Sequence, residues 1–121
     1  MKNLTLVFLL LFSTNCFSQE TITSVQAKDF LGKVVCVKGK VASFKTASEG
    51  QTINYINIDK AYPDNIFNVI ITNSQLEKLK IKVEDLKDKI IYVKGTINTY
   101  NKDPKQTPQI FNPTSIEIKK E

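Results

Sequence analysis

Val37-Lys38-Gly39-Lys40-Val41 and Val93-Lys94-Gly95-Thr96-Ile97 are near copies of each other, each a β-branched run with a glycine at its centre. Val, Ile and Thr favour a pleated, half-buried strand. Glycine weakens such a strand, and inside one it marks a bulge, a tight bend or a barrel corner. Two matching strands of this kind predict a small, strongly curved β-barrel in which Gly39 and Gly95 supply the bends.

Around the first copy, residues 33–45 read as one strand with Val35, Val37 and Val41 on one face and Lys38 and Lys40 on the other. Val34 and Cys36 share parity with the lysines and need cover, for which a short helix over residues 24–31 is the nearest candidate. Thr23-Ser24-Val25-Gln26 has the form of a capping box, Gly32 ends the helix, and Val25, Phe30 and Leu31 are its expected apolar contacts. Residues 51–59 form the next strand, with Ile56 and Ile58 inward and Tyr55 and Asn57 outward. Residues 60–65 form a turn that Tyr62 anchors. In a third strand over residues 66–72, Phe67, Val69 and Ile71 point inward, while Asn68 and Ile70 face the other way. Ser74-Gln75-Leu76-Glu77 is a second capping box and opens a helix to about residue 80. The second copy then lies in a strand over residues 89–100, followed by a polar loop over 101–107 and a last strand over 109–111 that resumes at 115–118.

The 121-residue chain suits a single domain. All 17 basic residues are lysine, set against 12 acids for a net charge of +5, and there is no Arg, His or Trp. The lack of His excludes a His-dependent active site. Arg is the preferred fork for bidentate recognition of guanine or phosphate, whereas Lys acts as a point charge on a flexible stem, so any anion binding is expected to be electrostatic and weakly sequence-specific.

Residues 1–18 have a positive start, the apolar run Leu4 to Phe12 and small residues before a polar boundary, which is the pattern of a secretory signal peptide. The apolar run is too short to span a bilayer. Cleavage after Ser18 leaves residues 19–121 as one domain, periplasmic or secreted, with 16 lysines and a charge of +4. Lipidation at Cys16 is a weaker alternative, because Asn15 and Ser13 fit a lipoprotein signal poorly. After cleavage Cys36 has no intramolecular partner and is expected to be a small buried hydrophobe.

The order of elements is a short helix, three strands, a helix, then two strands, as in the five-stranded Greek-key barrel of the OB-fold. The glycine-centred copies are then strands one and four, adjacent where the barrel closes. The stretches 31–41, 55–63, 67–71, 108–110 and 113–116 resemble small bacterial OB-fold proteins grouped with nucleic-acid-binding domains of the tRNA-anticodon-binding type. The resemblance covers about residues 22–118. It implies a ligand face on strands two and three, bordered by the first-to-second and fourth-to-fifth loops.

On that face the expected ligand-binding residues are Tyr55, Asn57 and Asn68, with Lys40 and Lys45 near the first loop and Tyr100, Lys102 and Lys105 at the last. Aromatics among cations suit base stacking combined with backbone tracking. The expected partner is single-stranded nucleic acid or another polyanion; the alternative is an extracytoplasmic protein, glycan or small ligand on the same face. Asp59 and Asp64 read as turn residues. With no zinc spacing, phosphate-cradling glycine loop or nucleophile-base pair, the sequence predicts no catalysis, no cofactor and no metal, in a monomer.

Overall fold

A computed structural model describes residues 20–120; the predicted signal peptide, its cleavage site and Cys16 lie outside the described residues. Seven strands, β1 (Thr21–Thr23), β2 (Val34–Lys45), β3 (Ile53–Ile58), β4 (Asn68–Thr72), β5 (Ile90–Asn98), β6 (Gln109–Phe111) and β7 (Ser115–Ile118), make one sheet. The sheet runs β1-β2-β3-β4-β6-β5-β7, and β2 also pairs with β5. Strands β2, β3, β4, β6 and β5 therefore close into a barrel-like ring of five, with β1 and β7 attached beside the seam. The ring has the expected number of strands, β7 is the predicted resumption of the last strand at 115–118, and β1 is an addition. The added β1 lies parallel to β2, with Ile22 opposite Val37.

The two glycine-centred copies meet at the seam, where β2 and β5 run antiparallel from Val34 opposite Thr96 to Lys40 opposite Ile90, with Val37 facing Val93. Val35, Val37, Val41, Ile91, Val93 and Ile97 all point into the core, as their alternation predicts. From the far wall come Ile56, Ile58, Phe67, Val69, Ile71 and Ile110, each at most 1% exposed.

Neither glycine is a backbone necessity. Positive φ among glycines belongs to Gly32 and Gly50, while Gly39 and Gly95 keep ordinary strand geometry. What they provide is room. A Cβ on Gly39 would overlap Ile58 Cγ2, and one on Gly95 would lie 2.5 Å from Ile110 Cγ2. The bend in β2 falls further on, at a register shift between Val41 and Ser43 where the strand leaves β5 for β3.

The first helix is a 3₁₀ segment, Val25–Phe30, whose buried residue is Ala27. Val25 and Leu31, expected as its apolar contacts, are mostly exposed, whereas Phe30 does pack on the core. Gln26 reaches back to the Thr23 amide at 2.9 Å, half of the predicted box. Val34 stays half exposed. Cys36 is wholly buried and disulfide-bonded, which corrects the expectation of an unpaired small hydrophobe.

Helix α1 (Asn73–Leu79) and the 3₁₀ turn Val83–Leu86 plug the ring between β4 and β5, burying Val83 and Leu86 and packing Leu76 and Leu79 on the core. The helix starts two residues earlier than the Ser74 box predicts, because Thr72 Oγ1 accepts from the Gln75 amide at 3.2 Å. Asp59, in a left-handed conformation (φ 69°), ends β3. Its carboxylate accepts from the Lys40 amide at 2.9 Å and from the Ser24 hydroxyl, tying that turn to both β2 and the N-terminal 3₁₀ segment. Asp59 is thus a structural turn residue.

Candidate functional site

Cross-strand register decides which outward side chains are neighbours. Lys45 lies opposite Tyr55, Tyr55 opposite Ile70, and Ile70 beside Phe111 in the parallel β4–β6 pair. These four make one row across the outer face. Adjacent strands lie about 4.8 Å apart, so the Tyr55 and Phe111 positions are separated by roughly 10 Å. Tyr55 is 42% and Phe111 49% exposed, while Ile70 between them is nearly buried. Two half-exposed aromatic rings thus flank an apolar floor, with a lysine at one end of the row.

The next row is polar: Ser43, Asn57, Asn68, Gln109 and Asn98 follow one another in register. Its inner members are already occupied. Asn57 is 7% exposed and donates from Nδ2 to Ser43 Oγ at 2.9 Å, and Ser43 Oγ also accepts from the Tyr62 amide at 3.3 Å. Asn68 Oδ1 accepts from Asn65 Nδ2. Asn57 and Asn68 therefore hold the loop over residues 59–67 in place, and Gln109 and Asn98 complete the row on β6 and β5.

That loop meets the β5–β6 loop over residues 99–108 at one end of the face. Lys105 Nζ donates to the Pro63 carbonyl at 2.6 Å across the junction, and Tyr62–Pro63 is a cis peptide. Tyr100 is 53% exposed in the same loop region, and Lys102 is exposed. At the other end of the face lie the loop over residues 46–52 and the start of α1. Here Asn54, 2% exposed, accepts from the Ala47 amide at 2.8 Å and donates to Asn73 Oδ1 at 2.8 Å and to the Ile71 carbonyl at 3.0 Å. Every strong polar group of this buried amide is used.

The structure brings Lys45 and Tyr55 together as direct cross-strand partners and gathers Tyr100, Lys102 and Lys105 at the loop junction. Lys40 is elsewhere. It pairs with Ile90 on the β5 side of the shift in β2, at the Asp59 end of β3, and so is not beside the first loop as expected. Sequence reasoning missed Phe111, Ile70 and Gln109. Alternation against the buried Ile110 would have turned Phe111 outward, but its place beside Tyr55 depends on the parallel β4–β6 pairing, which no local pattern encodes. The four most exposed aromatics among the described residues, Tyr55, Tyr62, Tyr100 and Phe111, all lie on this face or its bordering loops.

Asp103 organises the β5–β6 loop. Its carboxylate accepts from the Thr107 amide at 3.0 Å and the Lys105 amide at 2.9 Å. These donors, Thr107 first, hold its pKa below the ordinary carboxylate range. A depressed folded-state pKa means that the contribution is present above the unfolded value and is lost as pH falls through the folded one. Hydrogen exchange at the Lys105 and Thr107 amides is therefore expected to be slow at neutral pH and to lose its protection at strongly acidic pH, whereas Asp103→Ala loses it at every pH. Protection in that variant equal to the wild type would contradict the role.

No protein-family model and no curated protein sequence matches the chain. Among solved structures it is similar to a protein assigned as an aspartyl-tRNA synthetase of Leishmania major Friedlin, at 12% identity and a TM-score of 0.58, over 88% of this chain and 22% of that one. It is also similar to OBody AM1L10, solved bound to hen egg-white lysozyme, at 17% identity and a TM-score of 0.57, over 88% of this chain and all of that one. A third likeness is to the yeast Stn1 and Ten1 structure, at 15% identity and a TM-score of 0.60, over 93% of this chain and 69% of that one. The chain thus spans less than a quarter of the synthetase's length. Together these likenesses show an OB-like fold and nothing finer.

Proposed function

We propose that the chain is an exported, non-catalytic binding module that takes single-stranded nucleic acid or another polyanion on the outer face of β3, β4 and β6. The row Lys45–Tyr55–Ile70–Phe111 carries this reading. Half-exposed aromatic rings on a rigid sheet offer π-faces to successive bases, while lysines on the bordering segments track phosphates. With lysine the sole cation type, recognition is tolerant of sequence. The ring of five strands is on this reading the Greek-key barrel of the OB-fold, flanked by β1 and β7. A tRNA synthetase among the similar structures supports a nucleic-acid ligand by fold analogy only. Export rests on the sequence pattern of residues 1–18.

A second reading, an extracytoplasmic domain that binds a protein, glycan or small ligand, has its own support. Ile70 makes the centre of the row apolar, and the OBody of similar fold was solved bound to a protein. Salt separates the two. Oligonucleotide binding to the wild-type protein, followed by fluorescence anisotropy, is expected to weaken steeply as salt rises, whereas an apolar or glycan contact would barely respond.

A further inference from the structure

The loops over residues 59–67 and 99–108 border an open cleft of about 610 Å³ whose lining includes Lys60, Tyr62, Asp64, Asn65 and Lys105. That volume lies within the range of small-ligand sites. Tyr62, expected to anchor its turn, is instead 77% exposed, the highest value for a large apolar side chain among the described residues. Its backbone is nonetheless fixed. The Tyr62 amide donates to Ser43, Pro63 accepts from Lys105, and Asn65 donates to Asn68. A side chain held in water by a pinned backbone contributes little to packing and leaves an aromatic face open at the mouth of the cleft.

The charges agree with an anionic occupant. Lys60 and Lys105 outnumber the one carboxylate in the lining, Asp64, and neither lysine forms an ion pair among the described residues. Lys105 spends one N–H on the Pro63 carbonyl, and an ammonium has three. The cleft is also continuous with the sheet face, because Ser43 and Asn68, which tie its loop down, belong to the polar row next to Tyr55 and Phe111. One step along a strand to the next outward residue is about 7 Å.

We infer that this cleft holds one nucleotide of a bound single strand, its base on Tyr62 and its phosphate between Lys60 and Lys105. The inference rests on the proposed nucleic-acid reading and adds a subsite to it. The strand then passes from the Tyr55–Phe111 row over the polar row and into the cleft.

The test uses single-stranded deoxythymidine oligonucleotides of about 4 to 16 nucleotides, titrated into wild type, Tyr62→Ala, Tyr62→Phe, Lys60→Ala and Tyr55→Ala. Tyr62→Ala is expected to weaken binding roughly 5- to 150-fold, the effect of losing one stacked base, while Tyr62→Phe retains wild-type affinity. Lys60→Ala should reduce the slope of log K against log salt by about 0.7, the share of one phosphate contact with a single strand. If Tyr62→Ala binds as tightly as wild type while Tyr55→Ala binds more weakly, the cleft is overturned and the sheet face stands. If wild type binds no oligonucleotide at low salt, the nucleic-acid reading fails and this inference fails with it.

Discussion

Gly39→Ala and Gly95→Ala are each expected to destabilise the fold by about 1 to 3 kcal/mol, the range for forcing an added methyl into a packed core. A Cβ at residue 39 would overlap Ile58 Cγ2 and approach the Asp59 carboxylate to 3.1 Å; one at residue 95 would meet Ile110 Cγ2 and come within 3.5 Å of Pro113 Cα. These isoleucines are β-branched, hence stiff at χ1, and fully buried, so they have little room to retreat. The alternative explanation, that the glycines supply backbone freedom, makes a different prediction. A double-mutant cycle between Gly39→Ala and Ile58→Ala distinguishes them, since removing Cγ2 makes space for the new methyl. Denaturant unfolding should show a combined loss smaller than the sum of the two single losses. Strict additivity, or a cost below about 0.5 kcal/mol for Gly39→Ala, would mean that close approach is not what keeps the glycine there.

Replacing the aromatic row should affect binding more than folding. Tyr55→Ala and Phe111→Ala are each expected to weaken single-strand binding by about 1 to 3 kcal/mol, and the double variant more than either, because each removes one stacking surface. Both side chains are about half exposed, so the loss of buried area on truncation is modest. Thermal unfolding followed by circular dichroism serves as the control, and the folded signal should survive in all three variants. Ile70 lies between the two positions, in contact range of both, so their effects need not be strictly additive. Wild-type oligonucleotide affinity in the double variant would remove the row from the binding surface.

Period-two alternation made the seam strands and their inward sets legible, and it placed Val37, Val93, Ile56 and Phe67 in the core without reference to any partner. What alternation cannot supply is which strands lie beside which. Strand β1 is three residues long and gains its place only through parallel pairing with β2, and the proximity of Phe111 to Tyr55 comes from the parallel β4–β6 contact. The start of α1 was misplaced by two residues for a different reason. Thr72-x-x-Gln75 and Ser74-x-x-Glu77 both satisfy the capping pattern, and Gln75 Nε2 donates to the Pro113 carbonyl at 2.8 Å, a long-range contact compatible with the earlier start. Lys40 was expected near the first loop with Lys45, yet the register shift between Val41 and Ser43 separates the two along β2. Asn57 and Asn68 were read as ligand-binding residues of the outer face, yet Asn57 is buried. Their amides are used within the protein, Asn57 on Ser43 and Asn68 on Asn65.

The central claim is that the outer face of β3, β4 and β6, with its lysine-bearing borders, binds a single-stranded polyanion. The most direct measurement is the affinity of the wild-type protein for a single-stranded oligonucleotide across about 50 to 200 mM salt. Two to four phosphate contacts from Lys45, Lys60, Lys102 and Lys105 predict a straight line of log K against log salt with a slope between about −1.4 and −2.8. Binding that does not change with salt, or no binding at the lowest salt, would contradict the account.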